Sequence, residues 1–236
     1  MTRAGRFASW PSHEATVSPA TLAREMAAVA RVVLAPPPFP DGAARGRGQP
    51  VIVIPGLLSP DMTTARLRDF LTHQDFVAQP WVCGLNIGPM PRIIAGVERH
   101  VRELADATGR PVSIVGISLG GVVAREVAKS CLGPIARLIT LVAPIHLPVV
   151  TPLAPLAEAA SLLWDIEELD ALCAIAEPPP VPVTAVVSRD DGVIDWQAAV
   201  PAPSELVEVV EVSGPHMTVC SNPQVQHIVA DRLART

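Results

Sequence analysis

Four consecutive β-branched residues, Val51-Ile52-Val53-Ile54, leave little choice about the architecture around them. A strand with one wet face alternates apolar and polar side chains. A run with no alternation has to be covered on both faces, as strands inside a parallel sheet are. The same pattern returns in PVSIVGI (111–117), ARLITLVAP (136–144) and VPVTAVVSR (181–189). ELVEVVEVS (205–213) reads as a further strand, and 76–83 holds another that Pro80 interrupts. Segments with apolar residues at helical spacing fall between or after these strands, at 62–71, 93–107, 119–129 and 223–234. The helix over 93–107 stops at Gly109. Strands alternating with helices predict an α/β fold, with a mostly parallel central sheet and helices on both faces.

Two regions fall outside this alternation. Residues 1–48 comprise a loose arm, a helix over TLAREMAAVARVVL (21–34) and the linker APPPFPDGAARGRGQP (35–50). Successive prolines in that linker remove donors, and its glycines allow bends. The first 48 residues are therefore expected to form an appendage packed on a main domain spanning 49–236. The second region, 145–180, lies between two core strands but has no strand signal. Its prolines and the stretch AEAASLLWDIEELDALCAIA predict a short helical insertion.

A chain of 236 residues, 49% apolar and 17% charged, can bury one sizeable core. A formal net charge of −5 and scattered arginines argue against nucleic acid or an anionic lipid surface as partner. The four cysteines (Cys83, Cys131, Cys173, Cys220) are widely spaced, without CxxC or Cys/His ligand spacing, so no metal site is expected. The first residues lack the apolar run of a signal peptide, and nothing reaches the ~18 apolar residues of a membrane span. These readings predict a cytoplasmic protein with reduced thiols and no integral membrane association.

The chemistry is carried by Gly116-Ile117-Ser118-Leu119-Gly120-Gly121, set where an apolar strand meets a helix. A turn that sharp strains the serine backbone, and the residues two places to either side must lack bulk. The hydroxyl then stands at the C-terminal edge of the sheet, where open α/β folds bind ligands, beside a helix N-terminus that favours negative charge. A serine hydroxyl needs a base to act as nucleophile. His216 follows the last strand, on a loop shaped by Gly214 and Pro215 at the same edge. His13, His73, His100 and His227 lie in the arm, at helix ends or on helix surfaces. His146 follows another strand, as a pocket residue or a loop histidine. The base needs a carboxylate to fix its tautomer. SRDDGVID ends a strand with Asp191 in a tight turn, Asp190 as the runner-up, and Asp195 better suited to capping. The oxyanion donors expected are the N–H of Leu119, directly after the nucleophile, and the N–H of Leu57 in the Pro55-Gly56-Leu57 loop after the first core strand.

At IPGLL, GISLGG, SRDDGVI and GPHMTVCSNP the sequence resembles the α/β-hydrolase superfamily, and most of all its small bacterial esterase/lipase-like members. The resemblance runs from about residue 49 to the C-terminus. It implies an α/β-hydrolase fold, a serine hydrolase without metal or organic cofactor, and the 145–180 insertion acting as a small cap over an acyl pocket. Many relatives carry His-Gly where this chain has Pro55-Gly56. Asn86, in GLNIGPM, is expected to structure a loop there. The expected activity is carboxylic ester hydrolysis through an acyl-enzyme, with Ser118, His216 and Asp191 as triad. The apolar insertion predicts a small-molecule ester with an apolar portion, in a pocket lined by Leu58, His146, Leu163, Trp164 and Met217. Acyl transfer by the same triad and a non-catalytic binder on the same scaffold are the alternatives.

Overall fold

The computed structural model describes residues 17–131, 133–146, 149, 151–155 and 176–236. The chain enters through α1 (Pro19–Leu34), then β1 (Pro50–Ile54), a 3-10 turn (Asp61–Thr64), α2 (Ala65–His73), β2 (Val77–Pro80) and α3 (Pro91–Thr108). It continues through β3 (Val112–Ile117), α4 (Leu119–Ser130), β4 (Ile135–Leu141), β5 (Val183–Ser188), β6 (Val207–Val212) and α5 (Pro223–Leu233). The predicted N-terminal helix begins earlier than its periodicity indicates. Pro19 stands at its first turn, and Ser18 and Thr21 form a reciprocal capping box. Gly109 ends α3 in the left-handed conformation (φ 64°). Pro80 closes β2, which lies on the sheet edge, where the missing N–H is tolerated.

The six strands form one sheet in the order β2-β1-β3-β4-β5-β6. Every pairing is parallel. Alternate residues of the buried runs serve opposite faces. Val51, Val53, Val115, Ile117, Ile139 and Leu141 pack against α2 and α5 through Leu67, Phe70, Leu71, Val225, Val229 and Leu233. Ile52, Ile54, Ile114 and Leu138 pack against α3 and α4 through Ile93, Val97, Val101, Val123 and Val127. This double cover is why the β1 sequence has no polar residue: all five of its positions are buried.

Two features of the sheet place a site. The strand ends are level, since Ile54 lies beside Gly116, Ile117 beside Leu141, Leu141 beside Val186 and Ser188 beside Val212. The loops leaving β1, β3, β5 and β6 therefore emerge along one edge. The strand order also reverses at β1. The chain steps outward from β1 to β2, then returns to the other side of β1 for β3. The crevice at such a reversal, outside the C-terminal strand ends, is where open α/β sheets bind ligands. The loop after β1 and the turn after β3 flank it.

The β3–α4 turn is closed by lack of bulk. A Cβ on Gly116 would stand 2.4 Å from the Gly120 carbonyl oxygen, and one on Gly120 would stand 2.3 Å from that of Pro55. A Cβ on Gly121 would meet that of Ala143 at 2.4 Å. Gly120→Ala can relieve its clash only by moving backbone. It is expected to cost about 3 kcal/mol of unfolding free energy, the upper range for overpacking, measured by urea denaturation.

Candidate active site

Ser118 sits between β3 and α4 with φ 51° and ψ −124°, a conformation unfavourable for a residue with a side chain. Its backbone is held on both sides: its N–H donates to Leu141 O at 2.8 Å, and its carbonyl accepts from Gly121 N at 2.8 Å. Strain recurs along this edge. Leu58 (φ 48°), Val82 (φ 58°) and Val142 (φ 46°) follow β1, β2 and β4 in the same left-handed region. Strained residues collect at ligand sites when the surroundings over-determine them.

The loop after β1 lies against the serine. A Cβ built on Gly56 would be 3.5 Å from Ser118 Cβ. Asn86, fully buried, fixes this loop. Its Nδ2 donates to Pro55 O at 2.6 Å, and its carbonyl accepts from Leu58 N at 2.7 Å. Its Oδ1 accepts from Gly88 N at 3.0 Å. Asn86 thus joins the loops after β1 and β2, the structuring role expected from the sequence. Leu57 and Leu58 are partly exposed beside the β3–α4 turn, the elbow that carries Ser118, as is Leu119, which opens α4.

His216 and Asp191 meet. Nδ1 of His216 lies 2.6 Å from Asp191 Oδ2, and the two residues are 6% and 4% exposed. The other oxygen, Asp191 Oδ1, accepts from Val193 N and Ile194 N, both at 2.8 Å. The carboxylate is therefore fixed by its own turn while it faces the imidazole. Asp190 points elsewhere and accepts from Gly214 N at 3.0 Å. Asp195 caps the short helix Trp196–Ala199 through Gln197 N. Ser188 Oγ donates to Gly214 O at 2.7 Å, which ties the end of β5 to the histidine loop. Between them these contacts leave the Nε2 side of the imidazole clear of the Asp191 pairing. Ser118 and His216 stand on the same sheet edge without a hydrogen bond to each other.

The residues expected to line a pocket divide into three groups. Leu58 and Met217 are at the edge, and Met217 is 45% exposed directly after His216. His146 follows β4, but its Nε2 lies 2.9 Å from Val200 O, so that ring nitrogen is engaged with backbone. Leu163 and Trp164, with most of the insertion, lie outside the described residues. The exit of the insertion is anchored to the elbow helix. Arg125 of α4, 1% exposed, donates to Ala176 O (3.2 Å) and Glu177 O (2.8 Å).

One participant was not visible in the sequence. Glu25 of α1 is 1% exposed. Its Oε1 accepts from Gly192 N and His216 N, both at 2.8 Å, and its Oε2 from Met217 N at 2.9 Å. Helical periodicity puts an acidic residue at position 25 without saying what faces it, and its partners lie 167 to 192 residues away in the chain.

No cluster of three or more His, Cys, Asp or Glu suited to a metal ion occurs among the described residues. The described cysteines, Cys83, Cys131 and Cys220, are free. Burial raises all three thiols, Cys220 to about 12, which keeps them protonated near neutrality. No described helix is long and apolar enough to cross a membrane.

No protein-family profile and no curated protein sequence matches the chain. Solved structures do. Aspergillus fumigatus lipase B superposes with a TM-score of 0.61 at 19% identity, over 83% of this chain and 55% of the lipase. The chain thus spans little more than half of that enzyme. The monoacylglycerol lipase of Paleococcus ferrophilus gives 0.56 at 13% identity, over 80% of this chain and 96% of that one. A pyrethroid hydrolase gives 0.55 at 18% identity, over 78% and 97% respectively. With the all-parallel sheet, the strained serine after β3 and the reversal at β1, these likenesses show that the chain has the α/β-hydrolase fold.

Proposed function

We propose that the protein is a serine hydrolase that cleaves carboxylic esters with an apolar portion. The observation that carries this reading is the 2.6 Å His216–Asp191 pair on the same sheet edge as Ser118, which is held at φ 51°. A strained, exposed-edge serine and an imidazole oriented by a buried carboxylate are the parts that nucleophilic acyl transfer requires.

In this reading Ser118 Oγ attacks the ester carbonyl. His216 Nε2 takes the serine proton, because Nδ1 is committed to Asp191. The negative charge developing on the carbonyl oxygen is met by the N–H groups of Leu119 and Leu57. Leu119 begins α4, so its N–H belongs to the first turn, where donors lack an intrahelical acceptor. Leu57 lies next to Gly56, whose lack of a side chain lets the loop close on Ser118. His216 returns its proton to the leaving alcohol. Water, activated by the same imidazole, then releases the acid and restores Ser118. The preference for an apolar portion is supported by the loops after β1, β2 and β6. Met62, Val82, Leu85 and Met217 are 75%, 61%, 48% and 45% exposed there. The lipase and esterase names of the structural neighbours agree with this class of substrate.

A fluorophosphonate probe should label wild type at Ser118, and p-nitrophenyl esters of increasing acyl length should be hydrolysed. Absence of both would sink the proposal. Ser118→Ala should abolish labelling and lower turnover by at least ~10³-fold with the fold intact.

The two adjacent aspartates give a sharper test. Asp191→Asn should lower kcat by roughly 10³–10⁴-fold through the wrong imidazole tautomer. Asp190→Asn, which alters only the bond to Gly214 N, should stay within about tenfold of wild type. Steady-state kinetics on one ester decides between them.

A further inference from the structure

The N-terminal helix touches the acid and histidine loops through one buried carboxylate, and its contacts have a pattern. Glu25 accepts three backbone N–H groups: that of Gly192, directly after Asp191; that of His216 itself; and that of Met217, directly after it. Thr21, one turn earlier on α1, donates its hydroxyl to Gly192 O at 3.0 Å. The Gly192 residue is thus gripped at its N–H by Glu25 and at its carbonyl by Thr21. The fit leaves no spare room. A Cβ on Gly192 would stand 2.9 Å from Glu25 Cγ, Glu25 Oε1 and Thr21 O.

The chemistry of these contacts explains why the residue is an acid. His216 opens a short 3-10 helix (His216–Ser221), and the preceding cap position is Pro215, which makes no side-chain cap bond. The first N–H groups of such a turn have no acceptor within it. Together with the Gly192 N–H they converge on one point and need an acceptor-only group with two oxygens. A carboxylate supplies that. Glu25 therefore caps the histidine turn from a separate helix and joins it to the acid turn.

We propose that Glu25 is a positioning residue for the His216–Asp191 pair. It holds the two loops that carry base and acid at a fixed separation, so that the imidazole is aimed when substrate arrives. The proposal builds on the serine hydrolase reading for its kinetic consequence, but the positioning itself concerns two residues whose contact can be observed without any substrate. A helix that served only as an anchor could grip the core anywhere. Here its buried acid grips the histidine and the residue following the aspartate.

The test uses the full chain with Glu25→Ala and Glu25→Gln. Three measurements are made on each: the melting temperature, the downfield proton NMR signal of His216 Nδ1–H (assigned by its loss in Asp191→Asn), and the rate of fluorophosphonate labelling. Glu25→Ala leaves three N–H groups without an acceptor. It is expected to remain folded well below its melting temperature, to lose the downfield signal through exchange, and to label and turn over about 10²-fold more slowly with KM little changed, the size of effect that a misaimed group produces. Glu25→Gln keeps one oxygen for Gly192 and His216 but turns an amide NH₂ toward Met217 N–H. It should retain the signal in broadened form and lose about tenfold in kcat. If Glu25→Ala does not fold, Glu25→Gln decides.

A lowered melting temperature with an unchanged downfield signal and unchanged kcat would make Glu25 a structural anchor and overturn the proposal. Loss of the signal in Glu25→Ala, in a protein whose wild type neither labels nor hydrolyses esters, would uphold the positioning and overturn the hydrolase reading instead.

Discussion

The close approach of α4 to the ends of β1 and β3 is the constraint on which the site depends. The helix starts one residue after β3 ends, so its first turn has to pass directly over the neighbouring strand. It can do so only because Gly120 presents no Cβ to Pro55 O and Ile54 O, and Gly116 none to Gly120. That approach forces Ser118 into φ 51°, at a cost of about 1–3 kcal/mol typical of such conformations. The cost is offset by the surrounding order. The Ser118 peptide is bonded to Leu141 and Gly121, and both strands beneath it are buried on two faces. Widening the turn would relax the serine and also withdraw it from the crevice beside Gly56.

The aspartate and the histidine are held differently. Asp191 and His216 leave β5 and β6 on longer loops, and the bonds that fix them are polar and distant in sequence. Asp191 is seated by N–H groups of its own turn, Gly214 by Asp190 and Ser188, and Asn222 reaches back to Ser213 O at 2.7 Å. Of the histidine loop, Val219 reaches the main apolar core, with Cys220 packed against it. Val193 and Ile194 belong to a smaller cluster with Val187 and Ala199. Polar contacts therefore have to supply the rigidity that packing gives the elbow.

This difference explains what was legible in the sequence. Strands buried on both faces announce themselves as apolar runs, so the sheet could be read from VIVI, SIVGI and TAVVS. The elbow could be read too, because steric exclusion writes itself locally as glycines around a serine. His216 and the aspartates were legible as residues following strands, since parallel topology brings every strand end to one edge. Asp191 was read ahead of Asp190 from its place in the turn, but the contacts that tell them apart, Asp191 with His216 Nδ1 and Asp190 with Gly214 N, are tertiary, because neighbouring residues of a tight turn point apart. Glu25 had no local signal at all. On an amphipathic helix a lone acid reads as a solvated position, and only the tertiary fold reveals three backbone donors aimed at it.

The role of α1 follows from the same physics. Sequence alone made it an appendage, since a proline-rich linker separates it from β1. Yet a linker constrains only the path of the chain, and says nothing about where the helix docks. The docking place is set by where unsatisfied donors remain. The main core leaves few, because its strands and helices bond internally. The loops after β5 and β6 leave three that converge, and a buried carboxylate is costly anywhere without such partners. Each side thus removes the other's penalty: the loops gain an acceptor, and Glu25 gains donors that compensate its burial. A helix outside the sheet packs onto this edge because the Asp191 and His216 loops, unlike the β3–α4 turn, present backbone donors that an acceptor from elsewhere in the chain satisfies.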